Sequence, residues 1–176
     1  MEHATAEELA AGVEHVRSSP PDRGTLELIV RRPAVDEREV LAEGELDLVV
    51  GLVGDRWHLG SSPTNDSQLT LINSRLAQLV AQSRERWPLA GDQLYVDLDL
   101  SVENLPPGTQ LAVGDAVIEV SDVPHTGCAK FSARFGSDAV KLVNKGEGRE
   151  LRLRGMNARV VTPGTIRVGD AVAKLN

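Results

Sequence analysis

The sequence predicts a mainly β protein with some α structure, in a β-barrel-rich fold with a few peripheral helices. Residues 94–100 alternate between apolar and polar side chains, which is the pattern of a strand with one solvent-facing side. Short apolar runs then recur to the C-terminus, separated by Gly-Asp and Pro-Gly pairs that suit tight turns. Few segments show helical spacing, and closely spaced short strands are typical of a closed or strongly curved barrel.

The N-terminal segment is predicted to be a short amphipathic helix. Thr5-Ala-Glu-Glu8 forms a capping box, apolar residues follow at helical spacing, and Pro20-Pro21 ends the helix. The next run, 25–30, is aliphatic enough to be a strand. We therefore expect residues 1–24 to form an N-terminal helical extension and residues 25–176 to form a single domain.

Residues 36–87 are predicted to contain two more helices, one loop and one strand. Asp36 and Glu39 favour a short helix that reaches residue 43. The stretch 61–67 is rich in Ser, Pro, Asn and Asp and predicts a loop. Residues 68–72 predict a strand, and Asn73 can cap a helix that continues to residue 87, before Pro88.

The C-terminal half is predicted to be mostly β, with one helix over 137–145 that ends before Gly146. The predicted strands after residue 100 are 111–113, 117–120, 151–153, 158–161, 166–168 and 171–175. Residues 107–117 resemble residues 163–172, so each is predicted to be a hairpin unit. Asp115 and Asp170, each after a glycine, are interpreted as turn residues rather than catalytic carboxylates.

Composition excludes several classes of protein. The chain has 176 residues, a net charge of −7, one cysteine and four histidines. One cysteine cannot form an internal disulfide, and the widely spaced histidines do not match a zinc finger. Negative charge and few aromatic residues disfavour nucleic-acid binding. No apolar run is long enough to cross a bilayer and no signal peptide is evident, so a cytoplasmic protein without membrane contact is expected.

Charge is distributed unevenly along the chain. Residues 1–128 carry 22 acidic and 9 basic residues, whereas residues 129–176 carry 4 and 10. The basic third either neutralises the acidic part of the same chain or meets an anionic ligand. For the second interpretation, the sequence predicts an anion-binding surface built mainly from the C-terminal third and located beside Cys128.

Cys128 is the leading candidate for chemistry. It follows a predicted strand, in a loop where functional residues concentrate, and His125, Lys130 and Arg134 could lower the pKa of its thiol. A buried, unreactive cysteine is the alternative. A protease-type Cys-His dyad is a poor match, because His125 lies only three residues away and such pairs usually join distant segments.

Two further groups of residues could bind a ligand. Asn104 can donate to and accept from a heterocycle, and Glu103 can accept from an amino group, although ordinary turn chemistry explains both. Alternation would place Arg152 and Arg154 on one face of a strand, where paired guanidinium groups could recognise phosphate. A solvated strand face is the alternative.

Six segments of the chain stand in a specific order and spacing: Gly51–Arg56, Glu103–Leu105, Val113–Val120, Cys128–Lys130, Ala133–Gly136 and Gly164–Asp170. Taken together, these segments resemble the MOSC domain, named for the C-terminal domain of molybdenum cofactor sulfurase. The form Val102-Glu-Asn104 is similar to the branch of small stand-alone MOSC proteins.

The resemblance implies a cleft with one characteristic cysteine, which would hold sulfur as a persulfide or ligate the molybdenum of a pyranopterin cofactor. Cys128 matches that position. If such a cofactor binds, the residues expected to shape its pocket are those singled out above from the sequence: Glu103, Asn104, His125 and the cations Lys130, Arg134, Arg152 and Arg154. Any sulfur would come from a partner cysteine desulfurase, a pyridoxal phosphate enzyme, and the expected partner protein is a cysteine desulfurase or a reductase. The competing hypothesis is a non-catalytic module that uses the barrel to bind another small anion or a protein.

Overall fold

The computed structural model describes residues 2–60 and 63–175, and its centre is a closed barrel of seven strands. An eight-stranded sheet runs in the order β11-β7-β8-β9-β5-β6-β1-β2, and β11 also pairs with β1, which closes the barrel and leaves β2 at its edge. This confirms the predicted fold class. The strands are β1 (Arg23–Arg31), β2 (Glu39–Leu41), β3 (Glu43–Asp47), β4 (Gly51–Leu52), β5 (Leu69–Asn73), β6 (Leu94–Asp97), β7 (Gln110–Val113), β8 (Ala116–Val120), β9 (Met156–Thr162), β10 (Gly164–Arg167) and β11 (Ala171–Lys174).

Among the described residues, five helices lie outside the barrel, with 3-10 turns at Trp57–Leu59, Asn65–Ser67 and Arg84–Ala90. Thr5 and Glu8 form the predicted capping box at the start of the first helix, with their two backbone-to-side-chain hydrogen bonds at 3.2 and 2.8 Å. The helices are α1 (Ala6–Arg17), α2 (Ser74–Ala81), α3 (Ala129–Phe135), α4 (Ser137–Asn144) and α5 (Glu147–Glu150).

Alternation along β6 separates two apolar cores. Leu94 and Val96 point into the barrel, whereas Tyr95 is buried between the barrel wall and the helices. The outer face of this strand was predicted to meet solvent. The helical layer covers it at Tyr95, where the phenol donates a 2.8 Å hydrogen bond to the carbonyl of Trp87. α1 belongs to the same layer, since its Leu9 packs in the outer core.

The helix predicted from Asp36 to residue 43 is wrong. Asp36 has a φ of 61°, a left-handed conformation that an α-helix cannot continue through. The chain instead forms an exposed loop, and β2 then pairs antiparallel with β1 through Arg31 and Glu39. The segment 32–38, called the β1–β2 loop below, lies beside the cleft that Cys128 lines.

The predicted strand at 151–153 is also wrong. Leu151 and Leu153 donate their backbone N–H groups back to Glu147 and Gly148, which continues the turn after α5. Arg152, with a φ of 49°, is left-handed. Arg152 and Arg154 therefore do not lie on one strand face, and the sequence also missed α3 immediately before α4.

Three other predictions, concerning the end of α2, the two Gly-Asp segments and the loop over 61–67, agree with the structure only in part. α2 ends at Ala81 instead of continuing to residue 87, because Gln82 is left-handed. The Gly-Asp pairs that contain Asp115 and Asp170 are turns, as predicted, but of the two similar segments only residues 107–117 contribute to a hairpin, β7–β8. β10 and β11 belong to different sheets, since β10 joins β3 and β4. In the predicted loop over 61–67, residues 65–67 form a 3-10 turn, while residues 61 and 62 lie outside the described residues.

None of the helices within residues 2–60 and 63–175 has the length and apolar character needed to cross a membrane.

Candidate functional site

A cleft of about 370 Å³ lies beside Cys128, between the β1–β2 loop and the N-terminal end of α3. Segments from distant parts of the chain form its walls. The lining side chains that carry a charge or a reactive group are Arg32, Asp36, Glu37, Arg38, Arg56, His125, Cys128, Lys130, Arg134 and Arg154.

Cys128 stands where the segment after β8 enters α3, and it is exposed. The residue before it is anchored by α4: Gly127 donates its N–H to Asn144 Oδ1 at 2.7 Å, and Asn144 Nδ2 donates to the Gly127 carbonyl at 2.9 Å. A Cβ at position 127 would lie 3.0 Å from Val143. The small residue therefore allows the cysteine loop to pack closely on α4.

The surroundings of Cys128 favour its thiolate. The backbone N–H of Phe131, at the start of α3, lowers the pKa of the thiol below its ordinary value. Partial burial opposes this, while the N–H of Lys130 and the charges of Arg154 and Arg134 act with Phe131. A thiolate is the form of cysteine that binds metals and attacks sulfur, so the exposed side chain is chemically competent.

Asp92 holds two of the cleft residues in place. Its carboxyl has no exposed surface, and it accepts from Arg154 Nη1 at 2.7 Å and lies 3.0 Å from His125 Nε2. Burial by itself would raise the pKa of Asp92, but the charge of Arg154 and the hydrogen bond with His125 outweigh it and keep the pKa below the usual value. Because Nε2 of His125 is already hydrogen-bonded to Asp92, Nδ1 is the ring nitrogen that is available to a ligand.

A second buried carboxylate fixes the opposite wall. Asp55 has no exposed side-chain surface and accepts from Arg32 Nε and Nη2 at 3.0 and 2.8 Å, in a bidentate arrangement. It also accepts from the backbone N–H of Arg32 and of Trp57. One carboxylate thereby ties the β1–β2 loop to the turn that carries Arg56 and Trp57.

The cleft carries more positive charge than its own carboxylates compensate. Arg32 and Arg154 are paired with buried aspartates, and Asp36 lies 3.9 Å from both Lys130 and Arg134. In the described part of the chain, Arg38 and Arg56 take part in no ion pair. Burial and the neighbouring charge of Arg134 lower the pKa of Arg38, and its Nε is buried without a hydrogen-bond partner. Such an arrangement attracts anions.

Sequence comparison matches this chain to a known protein family. The model of the MOSC domain matches residues 55–173, which include Asp55, Asp92 and the cysteine loop. The chain belongs to the MOSC domain family. MOSC domains are associated with binding of the molybdenum cofactor. No curated protein is a significant match to the chain.

Solved structures support the same fold. YiiM from Escherichia coli is 20% identical, with a TM-score of 0.59 over 88% of this chain and 70% of that one. The YuaD protein from Bacillus subtilis is 15% identical, with a TM-score of 0.62 over 85% of this chain and 94% of that one. A crystal structure described only as that of a hypothetical protein is 21% identical, with a TM-score of 0.63 over 92% and 71%. At these identities the likeness concerns the fold alone.

Five of the residues singled out from the sequence meet at this MOSC cleft: His125, Cys128, Lys130, Arg134 and Arg154. Their roles toward a ligand stay predictions. Glu103, Asn104 and Arg152 line other cavities of the protein, so the structure does not bring them to Cys128.

Asn104 has structural contacts that account for its position. Its Nδ2 donates to the carbonyls of Pro21 and Asp99 at 2.7 Å each, and its Oδ1 accepts from Lys174 Nζ at 3.0 Å. These bonds tie the turn after β6 to the segment before β1 and to β11. The side-chain amide is therefore occupied within the protein instead of facing the cleft.

The basic C-terminal third does not dominate the cleft. Its Lys130, Arg134 and Arg154 face three arginines of the N-terminal part, Arg32, Arg38 and Arg56. Residues 129–176 therefore supply three of the six cations that line the cleft, because barrel closure brings the β1–β2 loop against α3. Which of these cations bind an anion stays a prediction.

Sequence reasoning also missed the two buried aspartates. Asp55 stood in the Gly51–Arg56 segment that carried part of the MOSC resemblance, which was a usable signal. Asp92 follows a glycine, as the turn residues Asp115 and Asp170 do, and nothing local distinguishes it from them. Its function as the anchor of Arg154 depends on a contact across 62 positions in sequence.

Proposed function

We propose that the cleft binds an anionic molybdenum cofactor of the pyranopterin type, with Cys128 as a sulfur ligand to the metal. The proposal combines the association of MOSC domains with this cofactor and the chemistry of the cleft. The observation that carries it is Arg38, a cation with an orphaned buried Nε–H beside Arg134. A phosphate group would satisfy the donor and relieve the repulsion between the two guanidinium groups.

The residues of the cleft fit such a cofactor at both of its ends. Arg38, Arg56 and Arg134 are placed to bind phosphate, since Arg38 and Arg56 have no carboxylate partner in the described chain and Arg134 shares only the exposed Asp36. Cys128 offers a thiolate of lowered pKa to the metal. When bound, the cofactor supplies a redox-active molybdenum centre.

His125 has a separate part in this proposal. Asp92 fixes its ring through Nε2, so Nδ1 can donate to or accept from a ligand in the cleft. Arg154, on the other side of Asp92, is held by the same carboxylate and by the carbonyl of Ala90 at 2.9 Å. The two side chains are thereby oriented before a ligand enters, which reduces the ordering cost of binding.

A second candidate is a sulfur carrier, in which Cys128 holds a persulfide delivered by a cysteine desulfurase. The exposure of Cys128 and its lowered pKa favour this function as well. A persulfide alone does not require unpaired cations such as Arg38 and Arg56 in the cleft, and for this reason cofactor binding is the first proposal.

The decisive experiment is metal, pterin and sulfur analysis of the protein purified from a host that makes the molybdenum cofactor. Cofactor binding predicts equal amounts of molybdenum and pterin in the wild type, loss of molybdenum in Cys128→Ala, and reduced pterin in Arg38→Gln. Arg23→Gln is the matched control, because Arg23 is an exposed arginine on β1 that does not line the cleft.

The other outcomes decide between the remaining functions. Sulfur that cyanide releases from wild type but not from Cys128→Ala, without molybdenum or pterin, would replace the proposal by the sulfur carrier. Absence of molybdenum, pterin and labile sulfur would favour the non-catalytic module.

A further inference from the structure

A second cavity, of about 380 Å³, lies behind the cleft and is separated from it by His125 and Arg154, which line both. Its walls include the apolar side chains of Val102, Val143 and Met156. Arg152, which the sequence singled out for phosphate, lies here instead of beside Cys128.

Arg152 is a half-buried cation without an anionic partner. Its Nη1 donates to the carbonyls of Leu100 and Leu105 at 3.2 and 2.6 Å, and it joins no ion pair within residues 2–60 and 63–175. Burial lowers the pKa of its guanidinium group, as expected for a cation that lacks a counter-ion. Carbonyl groups satisfy hydrogen bonds but leave the net charge uncompensated.

Besides the uncompensated charge of Arg152, the cavity lining contains two polar atoms without a hydrogen-bond partner among the described residues. Ser121 Oγ and Arg154 Nε are buried and have no hydrogen-bond partner in the described part of the chain. Arg154 itself is only 6% exposed. Buried donors of this kind are costly, so native structures almost always provide a partner. A ligand with an acceptor oxygen would satisfy Ser121 and offset the charge of Arg152 together.

We propose that this second cavity is a binding site for a small organic carboxylate with an apolar body. The carboxylate would face Arg152 and Ser121, and the body would lie against Val143 and Met156. Asp122 is the single carboxylate among the lining residues and is exposed, so the cavity has an excess of positive charge over apolar walls. The inference does not depend on which ligand occupies the cleft.

The positive charge and the apolar wall of the cavity together favour a carboxylate with an apolar body. A free phosphate would compensate Arg152 but would leave the apolar wall in contact with water. A neutral apolar molecule would cover that wall but leave the guanidinium group without a counter-ion. A carboxylate attached to a ring or a short chain meets both requirements. Because His125 and Arg154 line both cavities, such a ligand would lie next to whatever the cleft binds.

Calorimetric titration of the full chain with 2-naphthoate tests the proposal, with 2-naphthamide as its neutral counterpart. We expect the acid to bind at least tenfold more tightly than the amide. Ser121→Ala should weaken binding of the acid about fivefold, the effect of one neutral hydrogen bond. Arg152→Met should weaken it at least tenfold, and Lys145→Met, which removes an exposed charge outside the cavity, should leave it unchanged.

A further titration locates the probe. Cys128→Ala should bind 2-naphthoate as wild type does, because Cys128 lines the cleft and not the second cavity. Unfolding midpoints show whether Arg152→Met still folds, and Ser121→Ala keeps the test decisive if it does not. Equal affinity for acid and amide, an unchanged affinity in Ser121→Ala, or a lost affinity in Cys128→Ala would each overturn the proposal.

Discussion

Arg154 donates a 2.7 Å hydrogen bond to Asp92, whose carboxyl group is completely buried beneath the cleft. The guanidinium carbon of Arg154 also lies 4.9 Å from the ring centre of Phe131 on α3. The pair therefore connects the segment before β6 with the segment before β9 and with the helix that begins after Cys128. Because this buried ion pair joins three segments around the cleft, we expect it to stabilise the fold and to fix the geometry of the site.

Asp92→Asn should lower the free energy of unfolding by about 3 kcal/mol, because it leaves a buried guanidinium group without its counter-ion. Chemical denaturation at neutral pH measures the change. Asp138, whose side chain is 45% exposed and lies 3.7 Å from Lys141, provides the control, and Asp138→Asn should change stability by less than about 0.5 kcal/mol. Similar effects for the two variants would mean that the buried pair contributes little.

Stability should fall in acid because of Asp55. Burial raises its pKa, but the hydrogen bond and charge of Arg32 outweigh burial and hold the pKa below its ordinary value. Its contribution is therefore complete above the unfolded-state pKa, about 3.9, and is lost as pH falls toward the folded-state value. Urea denaturation between pH 6 and 3 should give a shallower decline for Asp55→Asn than for wild type. Parallel declines would contradict this origin.

Cys128 should react with iodoacetamide at a lower pH than free cysteine does. Because the pKa of its thiol is lowered, the pH at which the rate reaches half its maximum should lie below that of free cysteine titrated under the same conditions. Arg134→Gln removes one of the charges that stabilise the thiolate and should move this midpoint upward. Lys141→Gln, an exposed cation on α4, should not move it. A wild-type midpoint at or above that of free cysteine would rule out an activated thiolate.

Phosphate binding should distinguish the cleft arginines from Arg152. Arg134→Gln should weaken inorganic phosphate binding about tenfold, which corresponds to about 1.4 kcal/mol and to one charged hydrogen bond. Arg152→Met should have little effect, because Arg152 lines the second cavity. Titration followed by calorimetry, with the unfolding midpoint as a folding check, measures both. Equal losses in the two variants would place phosphate outside the cleft.

Gly155 should be intolerant of a side chain. It has a φ of 116°, and a Cβ there would overlap the carbonyl oxygen of Leu71 on β5. Gly155→Ala is expected to cost at least about 3 kcal/mol through this overlap. Gly108 has a comparable φ of 91° but open space around it, so Gly108→Ala should cost only about 1 kcal/mol from the backbone. Thermal unfolding of the two variants compares them, and equal shifts would show that the overlap is relieved.

Local patterns in the sequence were sufficient to predict the fold class and several elements. The capping box at Thr5, the alternation along β6 and the Gly-Asp turns all depend on backbone preferences and on side chains a few positions apart. These preferences act within one element, so a single sequence reveals them. The same applies to the placement of Cys128 in a loop after β8, which also carried the family resemblance.

Only the tertiary structure decided which charges surround that cysteine. Closure of the barrel pairs Arg23 with Ala173 and so brings the two ends of the domain together. The β1–β2 loop then contributes Arg38 to the cleft, while the left-handed turn at Arg152 directs that arginine to the second cavity. Contacts such as Asp92 with Arg154 join residues far apart in the chain. Their formation depends on strand pairing and helix packing, which no local periodicity encodes.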